Sequence, residues 1–270
     1  MIIPYFRIFP LVTAFGENTM NDFQFLIKKS PEDKRDFIAE DIMGAPGDLP
    51  AILDYSPNMP PVRNQGSQGS CAAMAAAALK EWEERKDVAY TGYMSPQFIY
   101  NIRPNAPGDG MYTRDLMKIL NKSGVPFEED FPYGTMSLPS DAVRAKALNY
   151  VVKSYALVET VEGLKAALVA NGPCLIALPV YNYGLRMWNQ EAGQNYIGGH
   201  AMAIIGYSDA GFIIRNSWGA GWGIFGYTLF PYSDWGMHWE TWTTLDAKSV
   251  GAINPESSGT RDWLKKRFNR

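Results

Sequence analysis

The chain has 270 residues, of which 46% are hydrophobic and 20% charged, and a formal net charge of −3. That length supplies ample core for one two-lobed domain or two small ones. The slightly acidic balance gives no electrostatic footprint for nucleic acid or an anionic membrane, no apolar run is long enough to span a bilayer, and no metal-ligand spacing, phosphate loop or repeat period implies a metal or a cofactor.

Met1 to Pro10 is apolar but lacks a basic opening and is interrupted by prolines, which makes it a poor secretion signal. Asp22 to Ile42 reads as a charged, amphipathic helical stretch around Phe23, Phe25, Leu26, Phe37 and Ile38, broken at Pro31. Its position and apolar content suggest a segment that packs over a cleft or a second lobe; the alternative is a disordered leader.

Gln65-Gly66-Ser67-Gln68-Gly69-Ser70-Cys71 is the most informative stretch. It sets a lone cysteine directly before an alanine-rich helical run, with a glutamine six residues upstream. A thiol at a helix N-terminus sits against unpaired N–H groups and the positive end of the dipole. Both favour the thiolate, which is the nucleophile.

The helix runs from Cys71 to about Lys86. Met74, Ala75, Ala78, Leu79 and Trp82 recur on one face, and Glu81, Glu83, Glu84, Arg85 and Lys86 mark an end expected to be solvated. Further helices are predicted over Thr113–Ser123, Ser140–Leu148 and Val161–Asn171, the last ending at Gly172. Strand-like runs then dominate: Leu175–Val180, His200–Tyr207, Phe212–Asn216 and Gly226–Pro231. Helices first and strands later is the segregated pattern of an α+β chain.

A nucleophilic thiolate needs a base, and the base needs an orienting group. The chain has two histidines. His200 opens an apolar run that turns at Ser208-Asp209-Ala210-Gly211 and returns to Asn216-Ser217-Trp218-Gly219. An ideal hairpin sets Asn216 opposite Ala203, so a bend or bulge must bring it to His200. His238, among aromatics, is a weaker base candidate with no matching asparagine motif. Cys174 lies in an apolar run and reads as buried packing. The tail from Lys248 to Arg270 is polar and reads as a solvated end.

With these motifs in place, the chain resembles the papain-like cysteine peptidase family (C1-type, cathepsin-like). Gln-Gly-Ser-Xaa-Gly-Ser-Cys, Gly-His-Ala and Asn-Ser-Trp-Gly-Xaa-Gly-Trp-Gly occur in the family's order, with His200 and Asn216 at about 130–150 residues after Cys71. Weaker similarity runs from about Leu49 to Asp246, through Leu49-Pro50, Met94-Ser95-Pro96-Gln97 and Gly172-Pro173. The resemblance implies a papain-like two-lobed fold, a helical left lobe and a β-barrel-like right lobe with the active-site cleft between them. The resemblance covers a peptidase domain (48–247); the flanking N-terminal segment (residues 1–47, a pro-segment or cleft cover) carries none of the family's common pro-segment motifs and is read from position and apolar content, and the polar tail (248–270) from composition.

By the same resemblance Cys71 is the nucleophile, His200 the general base and then acid, Asn216 the group that holds the imidazole tautomer, and Gln65 a donor to the oxyanion beside the Cys71 backbone N–H. Trp218 shields the His–Asn hydrogen bond or is a core tryptophan. Gly110, Met111, Tyr112, Gly199, Ala201 and Trp218 are the substrate-binding candidates, with an apolar or aromatic preference before the scissile residue. The implied partners are a polypeptide substrate and protein inhibitors of cysteine peptidases.

Two departures stand out. Gln68 occupies a position where the family has a disulfide cysteine, and Ala72 one where an aromatic is usual. With Cys71 catalytic, Cys174 has no partner, and a disulfide-free chain favours the cytoplasm or another reducing compartment. The rival readings are an amidase or acyl transferase on the same fold, and a non-catalytic papain-like binding protein.

Overall fold

In the computed structural model of the chain, residues 24–43 and 47–246 are described. The readings of Met1–Pro10 and of the tail from Lys248 lie outside them.

The first lobe is built on helix α2, Cys71–Val88. Ser70 stands at its N-cap, and Ala89, in the left-handed region at φ 55°, ends it. Every residue from Cys71 to Glu84 is buried, including Lys80, Glu81, Glu83 and Glu84. The expected solvated end is therefore corrected for Glu81, Glu83 and Glu84, while Arg85 and Lys86 are half-buried. Three of the buried charges pair with one another: Lys80 Nζ lies 2.7 Å from Glu83 and 2.8 Å from Glu84, and Thr244 donates to Glu83 at 2.7 Å. Buried charge is tolerated only when paired in this way. The alanines let other backbones approach closely, so that the helix is enclosed on all sides rather than along one stripe.

Helix α3, Pro96–Asn101, escapes a periodicity search because it is short, but it carries local signals: proline at its start and the Ser95 hydroxyl accepting from the Phe98 N–H at 3.1 Å. Helices α4 (Thr113–Lys122), α5 (Asp141–Ala147) and α6 (Val161–Asn171) match the expected positions.

The second lobe is an antiparallel sheet. Strands β4 (Val152–Leu157), β5 (Cys174–Val180), β6 (Gly198–Tyr207), β7 (Gly211–Arg215), β8 (Tyr227–Pro231) and β9 (Glu240–Asp246) are ordered β4-β9-β5-β6-β7-β8. Strand β2 (Leu53–Asp54) adds to β6. Strands β5, β6 and β7 are buried along their whole length, and β6 packs against α2. The α+β reading holds; β4 and β9, rich in polar residues, were not foreseen.

The segment before residue 47 departs from its expected helical form. Among its described residues only Ala39–Met43 (α1) is helical. Residues 24–30 are extended, and Ile27–Lys28 (β1) pair in parallel with Met111–Tyr112 (β3). Phe37, expected on an apolar helical face, is 60% exposed.

Candidate active site

Cys71, the first residue of α2, is 1% exposed. His200 lies near the start of β6 and is fully buried. A bulge in the β6–β7 hairpin aligns the third group. Near the turn Tyr207 faces Phe212 and Gly206 faces Ile213, but beyond the irregularity at Ile205 the pairs become Ile204↔Ile214 and Ala203↔Arg215. The one-residue shift carries Asn216 past Ala203, toward the end of β6 that holds His200. His200 Nε2 then lies 2.8 Å from Asn216 Oδ1, which also accepts the Ser217 N–H at 2.7 Å. An acceptor at Nε2 fixes the N–H there and leaves Nδ1 as the proton-accepting nitrogen. Nδ1 is buried without a hydrogen-bond partner among the described residues.

The backbone N–H of Ala201, the residue after His200, is among the groups that favour the Cys71 thiolate, so the two motifs lie close across the lobes. Trp218 covers the imidazole with ring centroids 4.7 Å apart and is itself 4% exposed, as a shield from water requires. Gln65 is buried, and its Nε2 donates to the Gln68 carbonyl at 3.0 Å. His238 sits elsewhere, its ring 4.4 Å from that of Trp235, and a low affinity for protons follows from its burial. Cys71 and Cys174 are both free thiols.

Residues 24–30 run through the cleft. The Phe25 ring lies 5.5 Å from Trp218 and 5.9 Å from His200. Leu26 bridges Gly199 in parallel, and its backbone N–H weakly favours the Cys71 thiolate. Its carbonyl faces Gly110, where a Cβ would stand 1.8 Å from that oxygen; Gly110 also has φ +71°. Only glycine serves at such an approach. Ile27 and Lys28 register with Met111 and Tyr112. Gly110, Met111, Tyr112, Gly199 and Trp218 thus each lie against residues 25–28.

Further contacts, invisible to motif reading, hold this segment. The Ser30 N–H donates to Glu240 at 2.9 Å, and the Ser30 hydroxyl lies 3.1 Å from that of Thr113. Asp36 takes a forked contact from Arg114 at 2.5–3.0 Å. Glu40 accepts the N–H groups of Glu159 and Thr160 at the start of α6 at 3.0 and 2.9 Å. No local sequence signal joins residues so far apart.

Burial under this segment changes the electrostatics. A helix-terminal cysteine was expected to ionise readily, but desolvation pushes the Cys71 thiol up to about 11, against the opposing pull of the N–H groups of Ala201, Ala72, Cys71 and Leu26. Desolvation lowers His200 to about 4, although Asn216 opposes it. Burial thus favours the neutral form of both groups, the thiol of Cys71 and the imidazole of His200.

The family description "papain family cysteine protease" matches residues 49–237. The chain belongs to the papain family of cysteine proteases. It is 28% identical to xylellain, a cysteine protease from Xylella fastidiosa, with a TM-score of 0.73 over 83% of this chain and 96% of that one. It is 29% identical to an uncharacterized peptidase C1-like protein of Acanthamoeba polyphaga mimivirus, over 63% of each chain. With mouse cathepsin K it shares 27% over 68% of this chain and 60% of the relative, so it spans less than two thirds of both curated relatives. A likeness to procathepsin L2 from Tenebrio molitor larval midgut, TM-score 0.64 at 23% identity over 85% of this chain and 80% of that one, bears on the fold alone. No helix among the described residues is long and apolar enough to cross a membrane.

Proposed function

We propose that this papain-family chain hydrolyses peptide bonds with Cys71 as nucleophile, and that residues 24–30 hold it latent. The observation that supports the reading is the His200 Nε2–Asn216 Oδ1 hydrogen bond of 2.8 Å, on the strand that packs against the Cys71 helix, with an extended stretch of the chain alongside at Gly199.

When that segment leaves, water reaches the site and the desolvation cost falls. The thiol proton passes to His200 Nδ1, giving a thiolate–imidazolium pair. The sulfur attacks the peptide carbonyl carbon, and the C=O electrons move to oxygen, where Gln65 Nε2 and the Cys71 N–H stabilise the charge. Collapse breaks the C–N bond as His200 protonates the leaving amine. Water, deprotonated by His200, then attacks the thioester, releases the acid and restores the thiol.

The occupying segment resists cleavage because it offers the sulfur an N–H, while the Leu26 carbonyl is turned to Gly110. Ile27 opposite Met111 supports a preference for an apolar or aromatic side chain before the scissile residue, in a pocket of Met111, Tyr112 and Ala201. A polypeptide is the partner that such an extended groove fits.

The test is to fold the full-length chain, cleave it near residue 47 with an added protease, and digest a peptide library. Cleavage that vanishes in Cys71→Ala supports the reading. Product formed only with an added amine would make it an acyl transferase, and no product despite an alkylatable Cys71 would make it a binding protein.

A further inference from the structure

The oxyanion donor needs its amide turned the right way, because a Gln65 with Oε1 toward the substrate would repel the developing charge. The orientation is dictated by two neighbours. The Gln68 carbonyl can only accept, so the atom 3.0 Å from it is Nε2. The other end, Oε1, lies 2.7 Å from the Ser217 hydroxyl in a buried contact. Oε1 can only accept, so Ser217 donates.

We propose that Ser217 is the positioning residue for the Gln65 amide: its hydroxyl selects the rotamer that points Nε2 into the cleft. The inference rests on the reading of Gln65 as the oxyanion donor. Ser217 is suited to the task because it joins three parts of the site. Its N–H donates to Asn216 Oδ1 at 2.7 Å, its carbonyl accepts the Gln65 N–H at 2.8 Å, and its hydroxyl holds the Gln65 side chain. Tyr133, on the first lobe, supports the same loop from the opposite side. Its hydroxyl donates to the Gln65 carbonyl at 2.8 Å and lies 2.7 Å from the Ser70 hydroxyl. The donor is therefore gripped from both lobes, in a loop where Gln68 leaves no disulfide to do so.

One N–H of Nε2 goes to Gln68, which leaves the second for the oxyanion. Without the Ser217 donor the amide gains a second rotamer in which Oε1 points to the cleft. The ground-state complex does not use that contact, so kcat should fall and KM should not.

The experiment compares Ser217→Ala, Ser217→Thr and Gln65→Ala in the full-length chain after cleavage near residue 47. Ser217→Ala should lower kcat by about tenfold and leave KM within about twofold; Ser217→Thr should restore it, and Gln65→Ala should cost on the order of 10²-fold. The double variant should be no slower than Gln65→Ala alone, since without the amide there is nothing to orient. Losses that multiply, or an unchanged kcat in Ser217→Ala, would overturn the proposal. Equal rates of Cys71 alkylation in all variants separate misfolding from misorientation. Should the unaltered protein hydrolyse no peptide, the reading of the function fails on its own. A crystal structure of full-length Ser217→Ala then decides the positioning role: a rotated or doubly placed Gln65 amide upholds it, and an unchanged one defeats it.

Discussion

Leu26, in the N-terminal segment, bridges Gly199 in parallel, one residue before His200, and its backbone N–H is among the groups that favour the Cys71 thiolate. One residue of the N-terminal segment thus lies beside both motifs, with its carbonyl oxygen against Gly110. On the proposed reading, latency and resistance to self-cleavage follow from this placement.

Alkylation of Cys71 should report this directly. In the full-length chain the thiol, raised to about 11, should react slowly near neutrality, and its rate should climb toward alkaline pH. After cleavage near residue 47 the rate at pH 6 should rise by at least about 10²-fold, because burial no longer opposes the thiolate. Cys174, pushed up to about 12 by burial in β5, serves as the control and should stay inert in both states. Mass spectrometry after timed alkylation reads both sites at once.

Arg114→Ala should loosen the segment. The guanidinium and Asp36 are both largely buried and joined by a forked contact at 2.5–3.0 Å. Charge-assisted bonds of this kind are worth about 1.5–3 kcal/mol. Cys71 in the full-length variant should alkylate about tenfold or more faster, while its rate after cleavage stays that of the unaltered protein.

Gln65→Ala should separate attack from transition-state stabilisation. Peptide turnover should fall by about 10²–10³, with little change in Cys71 alkylation, a reaction that builds no oxyanion. Parallel losses in both would mean that Gln65 only maintains the fold.

Glu81 should make stability depend on pH. It is 1% exposed, and Arg215 stands 3.9 Å away. Desolvation raises it to about 7, against the pull of Arg215 and Arg63. The native state therefore binds a proton that the unfolded state, at the ordinary 4.5, has released. Glu81 is least costly below about 4.5, and its penalty grows as pH rises to about 7 and then levels off. Glu81→Gln should gain up to about 3 kcal/mol over the unaltered protein at pH 8 and little at pH 4. Urea unfolding at the two pH values measures the difference.

Much of the site was legible because its chemistry is local. Cys71 is marked by the glycine-rich loop before a helix, and His200 and Asn216 by the two arms of one hairpin. The bulge that aligns those arms could be required but not placed, since Ile205 and Gly206 read as ordinary strand. The helices over Thr113–Lys122, Asp141–Ala147 and Val161–Asn171 carry their own periodicity and stop signals. Strand β9 does not: Glu240, Thr241, Thr243 and Thr244 look like surface, and only pairing with β4 and β5 buries them.

What the sequence determined by itself was the family, the two-lobed class and the residues able to do the chemistry, because residue type and short spacing encode them. Tertiary structure alone decided the path of residues 24–30 and the desolvation of Cys71 and His200. Leu26 has no more local reason to reach a sulfur than any other apolar residue, and desolvation depends on what covers a group, which a chain specifies only once folded.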